Sequence, residues 1–195
     1  MNINLATAEL TDVRDYILDL IVAHAYQEGD FTLSSGAKSS YYINCKKVSL
    51  MATGGLGLGR LFLDLLPENT AAVAGLTLGA DPLVSAASVV SAYQHQPLPA
   101  LILRKKPKGH GTKAYIEGPD LPAGAAITVL EDVVTTGQSA LFAVEKLQEA
   151  GFVVNEILAI VDREQGGAEL YQSQGLNFRP LFTISEVQAH SKKNN

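Results

Sequence analysis

Two adjacent carboxylates, Glu131 and Asp132, precede the hydroxylated turn Thr135-Thr136-Gly137-Gln138-Ser139. Hydroxyl groups and the unpaired N–H groups of a helix start bind anions, and a glycine lets the backbone come close to them. Carboxylates beside such a pocket repel a phosphate, so they must face something else. Sugar hydroxyls, or a Mg²⁺ ion with its waters, suit them. The ligand these residues describe carries a phosphate, a ribose-like diol and a metal. An ordinary βα turn with a helix cap and a solvated acidic pair is the alternative.

The flanking residues supply the elements. Ala126–Leu130 is an unbroken apolar run that reads as a buried strand, with the two acids where it ends. After the turn, Leu141, Val144 and Leu147 recur at helical spacing over 138–150, and Gly151 stands where a left-handed helix end is common. Strand, turn and helix form one unit.

The span Ile127–Ser139 resembles the 5-phosphoribosyl-1-diphosphate (PRPP) motif of type I phosphoribosyltransferases: apolar run, two acids, apolar pair, then Thr-Thr-Gly-x-Ser. Within that superfamily the chain is similar to the orotate phosphoribosyltransferases. The resemblance implies that Glu131, Asp132, Val133, Val134, Thr135, Thr136, Gly137, Gln138 and Ser139 bind PRPP. It also implies that Asp132 meets Mg²⁺ indirectly, through PRPP and water.

A second segment, Arg104-Lys-Lys-Pro-Lys-Gly-His-Gly-Thr-Lys113, holds five of the chain's 15 Lys and Arg residues and no acid. Pro107, Gly109 and Gly111 keep it from forming a helix. By itself it reads as either a solvated loop or a positive tongue directly after a core strand. It resembles the mobile catalytic loop of the same family, in the pattern Arg-Lys-x-x-Lys-x-His-Gly. On that resemblance Arg104, Lys105, Lys108 and His110 bind the diphosphate, Lys105 and His110 act with Asp132 in catalysis, and the 104–113 loop reaches the neighbouring site of a homodimer.

Two further stretches bear on the substrate. Phe31–Asn44 reads as two short strands about a Gly36 turn, with Tyr41-Tyr42 either plain sheet surface or a cover for a flat ring. The family's similar Phe-Thr-Leu-x-Ser-Gly segment covers the pyrimidine. Ser34 stands where some members carry Lys, and Lys38, Lys46 or Lys47 are the available substitutes. Ile160-Val-Asp-Arg163 offers a guanidinium fork suited to a carboxylate. The resemblance places Arg163, Thr135 and Tyr42 on orotate; a structural ion pair between Asp162 and Arg163 is the competing reading. The turn Gly75–Asp81 lacks the Lys found in some members, leaving the backbone N–H groups of Thr77–Ala80 for the diphosphate.

Gly54-Gly-Leu-Gly-Leu-Gly-Arg60 is not a nucleotide loop. A phosphate-cradling P-loop needs Lys and then Ser or Thr after its last glycine, and the dinucleotide fingerprint needs a third glycine where Phe62 stands. Residues 53–66 read as a glycine-rich helix packed closely on a neighbour and ended by Pro67. An amphipathic helix is expected over 7–27. From residue 71 strands and helices alternate: strands at Ala71–Leu76, Leu98–Leu103, 113–117, Ala126–Leu130, Val153–Val161 and Phe178–Ile184, with helices at Asp81–Tyr93, 138–150 and 167–173. That rhythm predicts an α/β fold with a mostly parallel sheet flanked by helices, a type I phosphoribosyltransferase-like core over 71–185, and a small N-terminal hood within 1–66, all in one domain. Ligands of such sheets bind beyond the carboxyl ends of the strands, where Thr77, Arg104, Glu131 and Arg163 all fall. The tail 191–195 is expected to be disordered.

A net charge of −5 argues against a nucleic-acid or membrane-surface binder. One cysteine excludes an intrachain disulfide and a cysteine-built zinc site. No apolar run is long enough to span a bilayer and no signal segment is visible, so a cytoplasmic protein is expected. Rival readings are a purine or uracil phosphoribosyltransferase, which should lack Arg163 and the hood, and a PRPP-sensing nucleic-acid binder, which needs a basic surface that is not evident.

Overall fold

The computed structural model describes residues 3–32, 36, 38–108 and 115–193. Strand β1 (Tyr26–Thr32) pairs antiparallel with β2 (Lys38–Ile43) in a two-stranded ribbon, the predicted hood, with Gly36 at φ 83° between them. The main sheet has the order β5-β4-β3-β6-β7-β8. Its strands are β3 (Ala72–Leu76), β4 (Ala100–Leu103), β5 (Ile116–Glu117), β6 (Ala126–Val134), β7 (Val153–Asp162) and β8 (Asn177–Thr183). All neighbours are parallel except β5, which runs antiparallel to β4 at the edge.

Helices cover both faces. Helices α1 (Leu10–Leu20), α3 (Ala52–Leu65), α4 (Asp81–Tyr93) and α7 (Ile184–Lys193) enclose a core around Ile17, Phe62, Val84, Leu130 and Leu158. On the other face, α5 (Gln138–Glu149) and α6 (Gly167–Ser173) bury Ala74, Val129, Leu147, Ile157 and Tyr171. Every residue of β3 is buried, as expected for a strand covered on both sides. The glycine-rich helix is α3. A Cβ built on Gly57 would stand 2.7 Å from Ile17 Cδ1, so glycine there sets how closely α1 can approach. It ends at Leu65, and the extended Leu66 precedes Pro67 as anticipated.

Several boundaries differ from the expectations. The motif strand does not end at Leu130: β6 continues through Val134, because the apolar run of β7 pairs with it as far as Asp162. The first helix is α at Leu10–Leu20 and π at Ile21–Ala25, and it gives way to β1 because Tyr26 pairs with Ile43. Strand β4 begins at Ala100, and only Ile116–Glu117 of the predicted 113–117 strand pairs with it, residues 113–114 lying outside the described residues. The predicted last strand stops at Thr183 and α7 follows, so Ser191–Lys193 of the supposed tail are helical. Val187 and Ser191 of α7 are buried, and Arg14–Glu186 (2.7 Å) and His190–Asp19 (2.6 Å) contacts tie the helix to α1. Among the described residues no helix is long and apolar enough to cross a membrane.

Candidate active site

The carboxyl edge of β6 carries the site. Because β6 runs on through the acids, side chains alternate across the pleat, and Glu131 and Asp132 leave on opposite faces of the sheet. Glu131 points toward α5 and α6. It lines a pocket together with Thr135, Thr136, Gly137, Gln138, Ser139 and Tyr171. Asp132 points the other way, where its Oδ2 accepts a bond from Lys46 Nζ at 3.2 Å. Its Oδ1 accepts from the Val133 amide at 3.0 Å.

The turn is built as the residue types require. Gly137 has φ 82° and caps α5, whose first amide bond runs from Leu141 N to Gly137 O at 3.1 Å. Gly151 closes the helix at φ 87°. The start of α6 presses on the turn from behind: a Cβ on Gly137 would lie 2.9 Å from the Tyr171 ring. Gly137→Ala is therefore expected to combine that clash with roughly 1–3 kcal/mol of left-handed backbone strain. The outcome to measure is weaker binding of a sugar phosphate by a variant that still folds; unchanged binding would separate the turn from the phosphate.

Electrostatics divide the acid pair. Glu131 is 6% exposed and its Oε2 has no hydrogen-bond partner among the described residues, while its Oε1 accepts the Asp132 amide. Burial, and then the charge of Asp132, push the Glu131 carboxyl up to about 8. Lys105 stands close enough for its charge to oppose that rise. A folded carboxyl raised in this way holds its proton where the unfolded one has lost it. Its contribution to stability is thus full below 4.5 and is lost as pH rises toward about 8. Differential scanning should show the wild type losing stability relative to Glu131→Gln across that window; parallel curves would mean that the carboxyl titrates normally. Tyr171, whose Oη is also buried and without partner among the described residues, is likewise raised by burial and by Glu131.

At the end of β7, Arg163 is 8% exposed. It is not paired with Asp162, whose Oδ1 instead accepts the Glu164 amide at 2.8 Å. Burial raises the Asp162 carboxyl. The Arg163 Nε–H donates to Tyr41 Oη at 3.0 Å, its Nη2 lies 3.4 Å from Ser39 Oγ, and its guanidinium carbon sits 4.7 Å from the Tyr41 ring centroid. Glu164, next in the chain, takes a left-handed φ of 56° and bonds through its carboxylate to the Ser185 amide and hydroxyl. The ribbon β1–β2 and the sheet therefore meet at this guanidinium. Tyr42 is 39% exposed on the other face of β2, its ring 5.6 Å from that of Phe31.

The basic segment begins at this same edge. Arg104 Nη1 and Lys108 Nζ lie 3.0 and 3.9 Å from Glu117 Oε1 on β5. His110 lies outside the described residues, as do Gly109, Gly111, Lys113 and Ser34. The structure thus brings Arg104, Lys105, Glu131, Asp132, Thr135–Ser139 and Arg163 to one edge. Sequence reasoning weighed Lys46 only as a substitute for a missing lysine and passed over Tyr171 altogether. No local pattern signals the Lys46 contact, since 86 positions separate it from Asp132.

A mostly parallel sheet flanked by helices on both faces is the fold this chain shares with the type I phosphoribosyltransferases. No protein-family model matches the chain. Individual proteins do: the orotate phosphoribosyltransferase of Nostoc sp. is 63% identical over 183 residues, covering 94% of this chain and 89% of that protein. The orotate phosphoribosyltransferase of Synechocystis sp. is 61% identical, covering 94% and 93%. Among solved structures, the Mycobacterium tuberculosis orotate phosphoribosyltransferase in complex with PRPP has a TM-score of 0.74 at 31% identity, covering 90% of this chain and 99% of that one. The chain belongs to the orotate phosphoribosyltransferase family.

Proposed function

We propose that this protein transfers the 5-phosphoribosyl group of PRPP to orotate, giving orotidine 5′-phosphate and diphosphate, as a step of pyrimidine nucleotide synthesis. One observation beyond kinship carries the choice of base: Arg163 is held by the hood rather than by an acid, at the edge that bears the PRPP turn. A guanidinium set in place by a phenol and a hydroxyl keeps donors for a substrate carboxylate. Thr135 completes the orotate side, whereas Tyr42 sits on the face of β2 opposite the one whose Tyr41 holds Arg163. The hood within 1–66 closes over a core spanning 71–185.

Displacement at the anomeric carbon develops positive charge on the ribosyl ring, as in glycoside cleavage, and negative charge on the leaving diphosphate. Thr135–Ser139 and the α5 amides bind the 5′-phosphate. Glu131 and Asp132 hold the ribose hydroxyls. Arg104, Lys105, Lys108 and His110 receive the diphosphate, and His110 can donate a proton to it. Asp132, at the carboxyl edge of β6, would meet a Mg²⁺ ion indirectly, through PRPP and water. Bound Mg²⁺ would neutralise charge on the leaving group.

We further infer a homodimer whose 104–113 segments serve each other's sites. The exposed Leu50, Val89 and Tyr93 line an apolar depression between α3 and α4, and this is the surface offered to the second copy. The deciding assay follows orotate absorbance with PRPP and Mg²⁺, against uracil and adenine in its place. Turnover of orotate alone is expected; turnover of another base without orotate would overturn the assignment.

A further inference from the structure

A leaving diphosphate needs positive charge in a fixed place as well as from a loop. Among the described residues the cations of this edge are mostly engaged elsewhere. Arg104 and Lys108 are on Glu117, and Arg163 is on Tyr41 and Ser39. The turn between β3 and α4, Thr77-Leu78-Gly79-Ala80, contains no cation.

Lys46 is placed differently. It opens the short helix α2 (Lys46–Ser49) and is anchored by fully buried neighbours, Cys45 and Val48. Its ammonium reaches Asp132 Oδ2 at 3.2 Å. The same carboxylate abuts the cation-free turn, since a Cβ on Gly79 would stand 2.5 Å from Asp132 Oδ1. One carboxylate therefore touches Lys46 and the β3–α4 turn together and sets the ammonium beside that turn. The pair is not sealed: the Lys46 side chain keeps 37% of its exposure and Asp132 only 13%. An ammonium has three donors, and only one is used among the described residues.

We propose that Lys46 is the fixed cation of the diphosphate end of the PRPP site, located by Asp132 and supplying the charge that the β3–α4 turn lacks. The inference rests on the PRPP reading of the site. A surface ion pair serving only to fasten α2 to β6 would order the scaffold without distinguishing one sugar phosphate from another.

That difference is the test. Titration calorimetry compares PRPP with Mg²⁺ against ribose 5-phosphate, which keeps the phosphate and sugar hydroxyls but has no diphosphate. Lys46→Met is expected to weaken PRPP roughly 10- to 100-fold while changing ribose 5-phosphate by less than about threefold. Lys46→Arg, which restores a cation, should recover most of the loss. Lys46→Gln provides a second neutral variant should the methionine chain fail to fold. Equal weakening of both ligands would overturn the proposal, as would unchanged PRPP binding. A wild-type chain that binds neither ligand would instead overturn the PRPP reading itself.

Discussion

Replacing Arg163 with alanine is expected to raise the KM for orotate by roughly 30- to 900-fold, about 2–4 kcal/mol for a desolvated charge contact, with PRPP affinity within about twofold of wild type. The expectation follows from where the guanidinium stands. Its Nε and Nη2 are committed to Tyr41 and Ser39, so the plane of the fork is fixed before any substrate arrives. Arg163→Lys should recover little, because an ammonium offers a point charge without the planar fork. Loss of Arg163 also removes a tie between hood and sheet, so thermal stability must be read beside the kinetics. Tyr41→Phe separates the two effects: it removes the phenol acceptor and leaves the guanidinium. Equal loss of orotate and PRPP affinity in Arg163→Ala would contradict the assignment.

Lys105→Ala should lower kcat by about 10²- to 10³-fold, the scale of removing one charge-stabilising donor, and change PRPP binding in the ground state far less. Unchanged turnover would remove Lys105 from the mechanism. The same variant tests how the segment is shared. Mixing Lys105→Ala chains with Arg163→Ala chains yields hybrid dimers in which one site has an intact body and, if segments cross, an intact segment from its neighbour. Roughly one quarter of wild-type activity should then return. No recovery, with subunit exchange verified, would place each segment on its own site.

Much of this was legible in the sequence because the informative signals are local. Alternating apolar runs predicted the parallel sheet, and the hydroxylated residues with Gly137 predicted the turn between β6 and α5 without any knowledge of the third dimension. Reading charge as the end of a strand stops the acid-bearing strand at Leu130. The length of β6 is set instead by β7, whose buried run pairs with it to Asp162. That error hid the division of Glu131 from Asp132, which follows from the pleat once the strand is extended. Lys46 and Tyr41 acquire their roles through contacts 86 and 122 positions distant in the chain, beyond any local pattern. Helix α7 was missed because its apolar spacing is short and its hold comes from α1.

On the proposed transfer of the segment to diphosphate, the Glu117 contacts of Arg104 and Lys108 set how readily it changes partner. All three side chains are more than a third exposed, so each pair is worth under about 1 kcal/mol. The resting arrangement is consequently shallow, and a differential interaction of modest size is enough to shift the populations. Added salt loosens the resting contacts and weakens the pull of an anionic substrate at once. Ionic strength should therefore move substrate affinity more than it moves the balance between the two arrangements.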